Sequence, residues 1–136
     1  MANASDYLEG QLRAHIFRTA SFTKPTALYV ALYTAAPSDA GGGTEVTGGS
    51  YARQNVPPLD ANWTAASSTD GITTNAADIT FPVPSATWGT VSHFGIHDAV
   101  TSGNLLVWGA LSSSRTINNG DPAPKFLAGA LSITVA

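Results

Sequence analysis

Cysteine is absent from all 136 residues, which excludes disulfide staples, thiolate chemistry and cysteine-ligated zinc together. Stability must then come from packing or from association. Charge is scarce as well: Asp, Glu, Lys and Arg make up 11% of the chain, far below the roughly 25% of ordinary soluble domains. The six basic residues read as scattered, and with a net charge of −3 they offer no cluster to displace counterions from phosphates. Nucleic acid is therefore not an expected partner. No apolar run approaches the ~20 residues of a membrane span, and the first residues lack a basic segment leading into an apolar core. The expectation is a chain made in the cytoplasm, without a targeting segment or a membrane partner.

What the sequence does contain is apolar and uncharged. Hydrophobic residues form 43% of it, enough for a core, and 136 residues suit one compact domain spanning 1–136. Its polarity comes from Thr, Ser, Asn and Gly. A surface built from these can pack against a neighbour without the desolvation cost of Lys and Glu, which predicts a protein that assembles.

One helix is expected, near 6–18. Leu8, Leu12 and Ile16 recur every fourth residue with Phe17 beside them, and Asp6 and Glu9 have the spacing of a capping box with Asp as the cap. Four-residue steps drift slowly around a 3.6-residue helix, so these side chains form one stripe that must lie against a sheet or a neighbouring subunit. The segment from Ala27 to Tyr33 reads as a strand, with Leu28, Val30 and Leu32 on one face and Tyr29 and Tyr33 on the other. Residues 37–50 read as a flexible loop too rich in glycine to pack, and 59–76 as irregular with one short strand. Strand signals return at Ile79–Phe81, at 90–97 with a bulge near Gly95, at Leu105–Leu111 as the partner of 90–97, and at 128–135. Seven or eight short strands behind one N-terminal helix predict a mainly β fold, a β-sandwich or jelly roll.

The chemistry-bearing residues form no reactive pattern. His93 and His97 would share a face on a helix, but on a strand four residues at ~3.3 Å place them ~13 Å apart, too far for one ion. They are read as ordinary surface or half-buried histidines. Asp98 follows His97 directly, so the two point to opposite faces and do not pair as base and orienter. The glycines Gly41 to Gly43 precede no Lys and open no helix, unlike a phosphate-binding loop. No catalytic residue, metal site or cofactor is assigned. Among the aromatics, Trp108 sits in an apolar strand and is expected in the core, whereas Trp63 lies in a polar tract and is a candidate for a partner surface. The candidate interface is thus Leu8, Leu12, Ile16, Phe17 and Trp63.

The order of segments carries one more signal. Asn3 to Glu9, Leu28 to Pro37, Gly43 to Gln54, Ile79 to Pro82, Trp88 to Ile96, Leu106 to Leu111 and Ala128 to Leu131 together resemble a family of small bacteriophage structural proteins, commonly labelled tail-fibre-like. The resemblance spans nearly the whole chain and brings no catalytic residue. It implies a virion protein whose partners are the major capsid protein or other virion proteins, and a homo-oligomer, with a trimer suggested by decoration proteins on threefold axes. A fibre usually needs a repetitive shaft, and no heptad or short repeat is present. The leading expectation is therefore a capsid decoration, or cement, protein; the alternative is a tail or tail-fibre-associated protein involved in host attachment.

Overall fold

The computed structural model describes residues 2–66 and 69–135; Ser67 and Ser68, inside the tract read as irregular, lie outside it. One helix, α1 (Asp6–Phe17), and ten strands appear among the described residues: β1 (Ala2–Ala4), β2 (Tyr29–Ala35), β3 (Thr44–Glu45), β4 (Gln54–Asn55), β5 (Ile72–Thr74), β6 (Ile79–Thr80), β7 (Gly89–His97), β8 (Leu105–Ile117), β9 (Lys125–Phe126) and β10 (Ser132–Thr134). The fold is mainly β with one helix, as the periodicities predict.

Eight strands form one mixed sheet in the order β3-β2-β7-β8-β1-β10-β5, with β4 also pairing β2. Its backbone is the antiparallel trio β2, β7 and β8, where Val30 pairs with Ile96 and Ile96 with Val107. That register puts Val30, Leu32, Phe94, Ile96 and Val107 on one face, because side chains alternate along a strand. The facing layer includes the two-stranded β6–β9 sheet. Phe126 from β9 meets Phe94 and Phe81 edge to face at 6.2 Å, and Tyr51 stacks on Phe81 and abuts Trp88. Large sheet, apolar filling and smaller facing layer make the sandwich-like core, in which Phe81, Val91 and Leu131 are almost fully enclosed.

The opposite face of the trio is covered too, as the doubly apolar β2 requires. Tyr33 and His97 lie there, 4% and 6% exposed. Gly95 lies between them because a Cβ would come within 2.9 Å of both Tyr33 and Leu105. Steric need thus explains this glycine. The expected bulge is displaced from it: pairing is continuous from His93 to Ile96, with register shifts on either side, and at the first of these Leu111 to Ser114 of β8 oppose Ser92 alone.

Three expectations need correction. The helix cap is Ser5, not Asp6: the Ser5 hydroxyl accepts from the Leu8 amide at 3.2 Å and donates to the Leu105 carbonyl, tying α1 to β8. Asp6 is the first helical residue. The segment 37–50 does pack, with Val46 in the core and Trp88 Nε1 donating to the Gly49 carbonyl at 2.9 Å. Its glycines adopt positive φ at 41, 42, 43, 48 and 49 and so turn the chain tightly enough to bring polar backbone and one valine inward. Trp108 is not in the core cluster: alternation gives the core face to Val107, and the Trp108 indole lies half-buried on the other face, bonded to Asp39 at 2.9 Å.

Candidate functional site

The apolar stripe of α1 is the natural starting point, since its four members were expected to share a contact. The structure divides them. Leu8 packs against the core and Leu12 is half-buried, but Ile16 and Phe17 are 67% and 80% exposed. No residue of α1 is fully buried. The helix is attached at its capped N-terminal end, through Ser5 and Leu8, and its C-terminal end projects as an apolar knob.

Leu8 and Trp63 are brought together. They line a groove of about 680 Å³ whose floor includes Ile96, Val107 and Ile133 and whose wall includes Leu59. It opens over the same sheet face that carries the core, where the facing layer gives way to α1 and the Pro58–Trp63 turn. Trp63 is half-buried and packed on the core cluster, its Nε1 donating to the Val56 carbonyl at 3.4 Å. It is both core wall and groove wall. Leu59, 59% exposed, is a groove residue that the sequence reading did not single out, because one leucine between Pro and Asp has no periodic partner.

A second group escaped the sequence reading entirely: a polar cluster around Glu45 and Arg53. Arg53 grips Glu45 in a two-pronged pair, Nε to Oε1 at 2.8 Å and Nη2 to Oε2 at 2.7 Å, and its Nη1 donates to the carbonyls of Ala99 and Ser102 at 2.9 Å. Tyr51 donates to the same carboxylate at 2.8 Å while accepting from the Leu32 amide at 3.0 Å. Burial raises the Glu45 pKa, but the bonds from Arg53 and Tyr51 outweigh it and the carboxyl ends below its usual value. Arg53 is held above its ordinary value by the same pair, and burial raises Tyr51. Beside them Tyr33 Oη and His97 Nε2 share a hydrogen bond of 2.7 Å. Burial pushes Tyr33 up to about 12 and His97 down to about 4, with the Arg53 charge adding to the latter. His97 is therefore neutral at pH 7 and deeply placed rather than at the surface. Chemically this cluster is a brace between β2, β3, β7 and the turn at 99–102; its hydroxyl and imidazole, Tyr33 and His97, are both buried, and His97 Nδ1 has no hydrogen-bond partner among the described residues.

The remaining reactive-looking residues are engaged structurally. Asp98 accepts from the Asn104 amide and side chain at 2.7 and 2.8 Å, and His93 takes a hydrogen bond with Ser92 and stands 6.3 Å from the Trp108 ring. In the turn at 118–121, Asp121 accepts from the Asn118 amide at 2.7 Å. Among the described residues no three His, Asp or Glu side chains gather as a metal set, and no helix is long and apolar enough to cross a membrane.

Three of the six basic residues lie close in sequence. Arg13, Arg18 and Lys24 fall within twelve residues that hold no acid, but Arg13 pairs with Glu9 at 3.4 Å and Lys24 donates to the Pro58 carbonyl at the groove edge, which leaves Arg18 beside the exposed end of α1. The molecule thus presents two unusual surfaces, an apolar knob and an apolar groove, on a body held by a buried polar brace. No curated protein matches the chain. A family model described as Podophage GP4 fiber I protein gp80 matches residues 3–134, nearly the full length, and its members are phage structural proteins of tail-fibre-like type rather than a known enzyme family. By that match the chain belongs to the Podophage GP4 fiber I protein gp80 family.

Proposed function

We propose that this protein is a structural subunit of a phage tail fibre, a virion component that contributes to host attachment and carries out no reaction of its own. The observation that carries this reading is the family match over residues 3–134, whose description is that of a fibre protein. It favours the tail-fibre alternative over the capsid decoration expected from the missing shaft sequence. The fold is compatible with a fibre because a compact β domain can sit at a joint or tip, where no shaft repeat is needed. The charge-poor composition and the uncovered apolar surfaces support assembly as a homo-oligomer, for which a trimer is the stoichiometry to test.

Head and tail location differ in copy number, and that difference decides. Quantitative mass spectrometry on purified virions, with heads and tails separated, is expected to find the chain in the tail fraction at a handful of copies per particle. Recovery in the head fraction, at a stoichiometry comparable with the major shell protein, would reject the fibre reading and restore capsid decoration.

A further inference from the structure

The knob and the groove are each incomplete. Ile16 and Phe17 are 67% and 80% exposed at the free end of α1, and an isolated helix of 12 residues is marginal in water unless its apolar face is covered. The groove beside Trp63 is apolar and open. The knob cannot fill its own groove, because Leu8 already lines it and Phe17 lies nine residues further along a rigid helix, about 13 Å away at 1.5 Å per residue. Charge adds one complementary pair. Arg13 is paired with Glu9 on α1 at 3.4 Å and Lys24 donates to the Pro58 carbonyl at the groove itself, but Arg18 is exposed beside the knob and Asp60 at the groove rim.

We infer that the Ile16–Phe17 end of α1 docks into the Trp63 groove of a second copy of this chain. Phe17 and Ile16 enter between Leu59, Leu28 and Ile133, while Arg18 approaches Asp60. Arg18 against Asp60 favours this head-to-groove encounter over contact between two knobs, which would set Arg18 near its own copy. Knob and groove are different surfaces of one chain, so two copies close the contact reciprocally about a twofold axis, or more copies close it as a ring. The inference does not depend on the location of the chain in the virion, and virion fractionation tests that separately.

Two surface variants break the contact from opposite sides. Phe17→Ser removes the knob and Leu59→Asp spoils the groove, and both residues are exposed enough that circular dichroism should match the unaltered chain. By analytical ultracentrifugation the unaltered chain is expected to self-associate, less so as salt rises, and each variant to associate about 30-fold or more weakly, the loss for removing one large apolar anchor. Mixing the two variants should restore a one-to-one complex, since the mixture still holds one intact knob and one intact groove. The inference is overturned if the unaltered chain stays monomeric at millimolar concentration, if Phe17→Ser associates as the unaltered chain does, or if the mixed variants remain apart. A contact of knob against knob would give the last result.

Discussion

Helix α1 buries none of its 12 residues, whereas the segment from Thr44 to Val56, glycine-bearing and mostly polar, places Val46 at 3% exposure and closes the Glu45–Arg53 pair. By composition the order should be reversed. Apolar content in α1 is spread along a helix anchored at its first turn, so Ile16 and Phe17 at its far end are exposed while Leu12 stays half-buried. In the second segment, positive-φ glycines bend the backbone until few residues reach many neighbours. What places a residue in the interior here is the number of points at which its segment is held, and the two regions should respond to damage accordingly.

Arg53→Ala should do the greatest damage. It strands a half-buried carboxylate and frees two carbonyls, and removing one partner of a largely buried pair costs about 3–5 kcal/mol. The value should fall toward the lower end because Glu45 keeps 23% side-chain exposure. Urea unfolding should show the midpoint drop at unchanged slope. A loss below about 1 kcal/mol would mean that the brace is no better than a surface ion pair.

Acid should act on the same region. His97 has a folded pKa of about 4 against 6.5 unfolded, so between these values the unfolded chain binds more protons and stability falls as pH falls. The expected loss from pH 7 to pH 5 is about 2 kcal/mol, and Glu45, whose pKa is lowered, adds a further loss below its unfolded value of 4.5. Denaturant titrations across this range check the sign. Stability that is flat from pH 7 to 5 would place the imidazole in contact with solvent.

Two neighbouring glycines sharpen the view of the turn. Both Gly48 and Gly49 have positive φ, but a Cβ on Gly49 would sit 2.9 Å from Trp88 Nε1, while one on Gly48 meets nothing within 4 Å. Gly48→Ala should therefore cost about 1 kcal/mol for the backbone alone, and Gly49→Ala more, about 2 kcal/mol, with disturbance of the Trp88 fluorescence. Equal costs would show that packing around Trp88 yields freely. The smallest effect belongs to the arm: Phe17→Ser should change the unfolding free energy of the dissociated chain by no more than about 0.5 kcal/mol, despite removing a phenylalanine. A loss of several kcal/mol would mean that the knob is part of the core.

The elements that were legible in the sequence share one property, a period longer than a turn. The strand Tyr29–Ala35, the pair Gly89–His97 and Leu105–Ile117, and the helix Asp6–Phe17 all announce themselves by alternation or a four-residue repeat. The two-residue strands Thr44–Glu45 and Lys125–Phe126 and the opening Ala2–Ala4 are too short to show a period, and their pairing with distant partners alone defines them. Part of the grouping within the candidate interface was legible. Leu8, Leu12, Ile16 and Phe17 could be grouped by helical spacing, but only the fold shows that Leu8 belongs to a groove with Trp63 and that Ile16 and Phe17 stand away from it.

The mainly β class, the single N-terminal helix, the apolarity of both faces of β2 and the family resemblance follow from the sequence, since each depends on residue types at local spacings. The tertiary structure alone decided that Glu45, Tyr51 and Arg53 form a brace, that His97 is buried against Tyr33 across 64 positions, and that Trp108 faces away from the core while Trp63 walls a groove. Those outcomes turn on which strand lies beside which and on a register that shifts at two points of β7, and a shift of one residue exchanges the faces of every side chain beyond it.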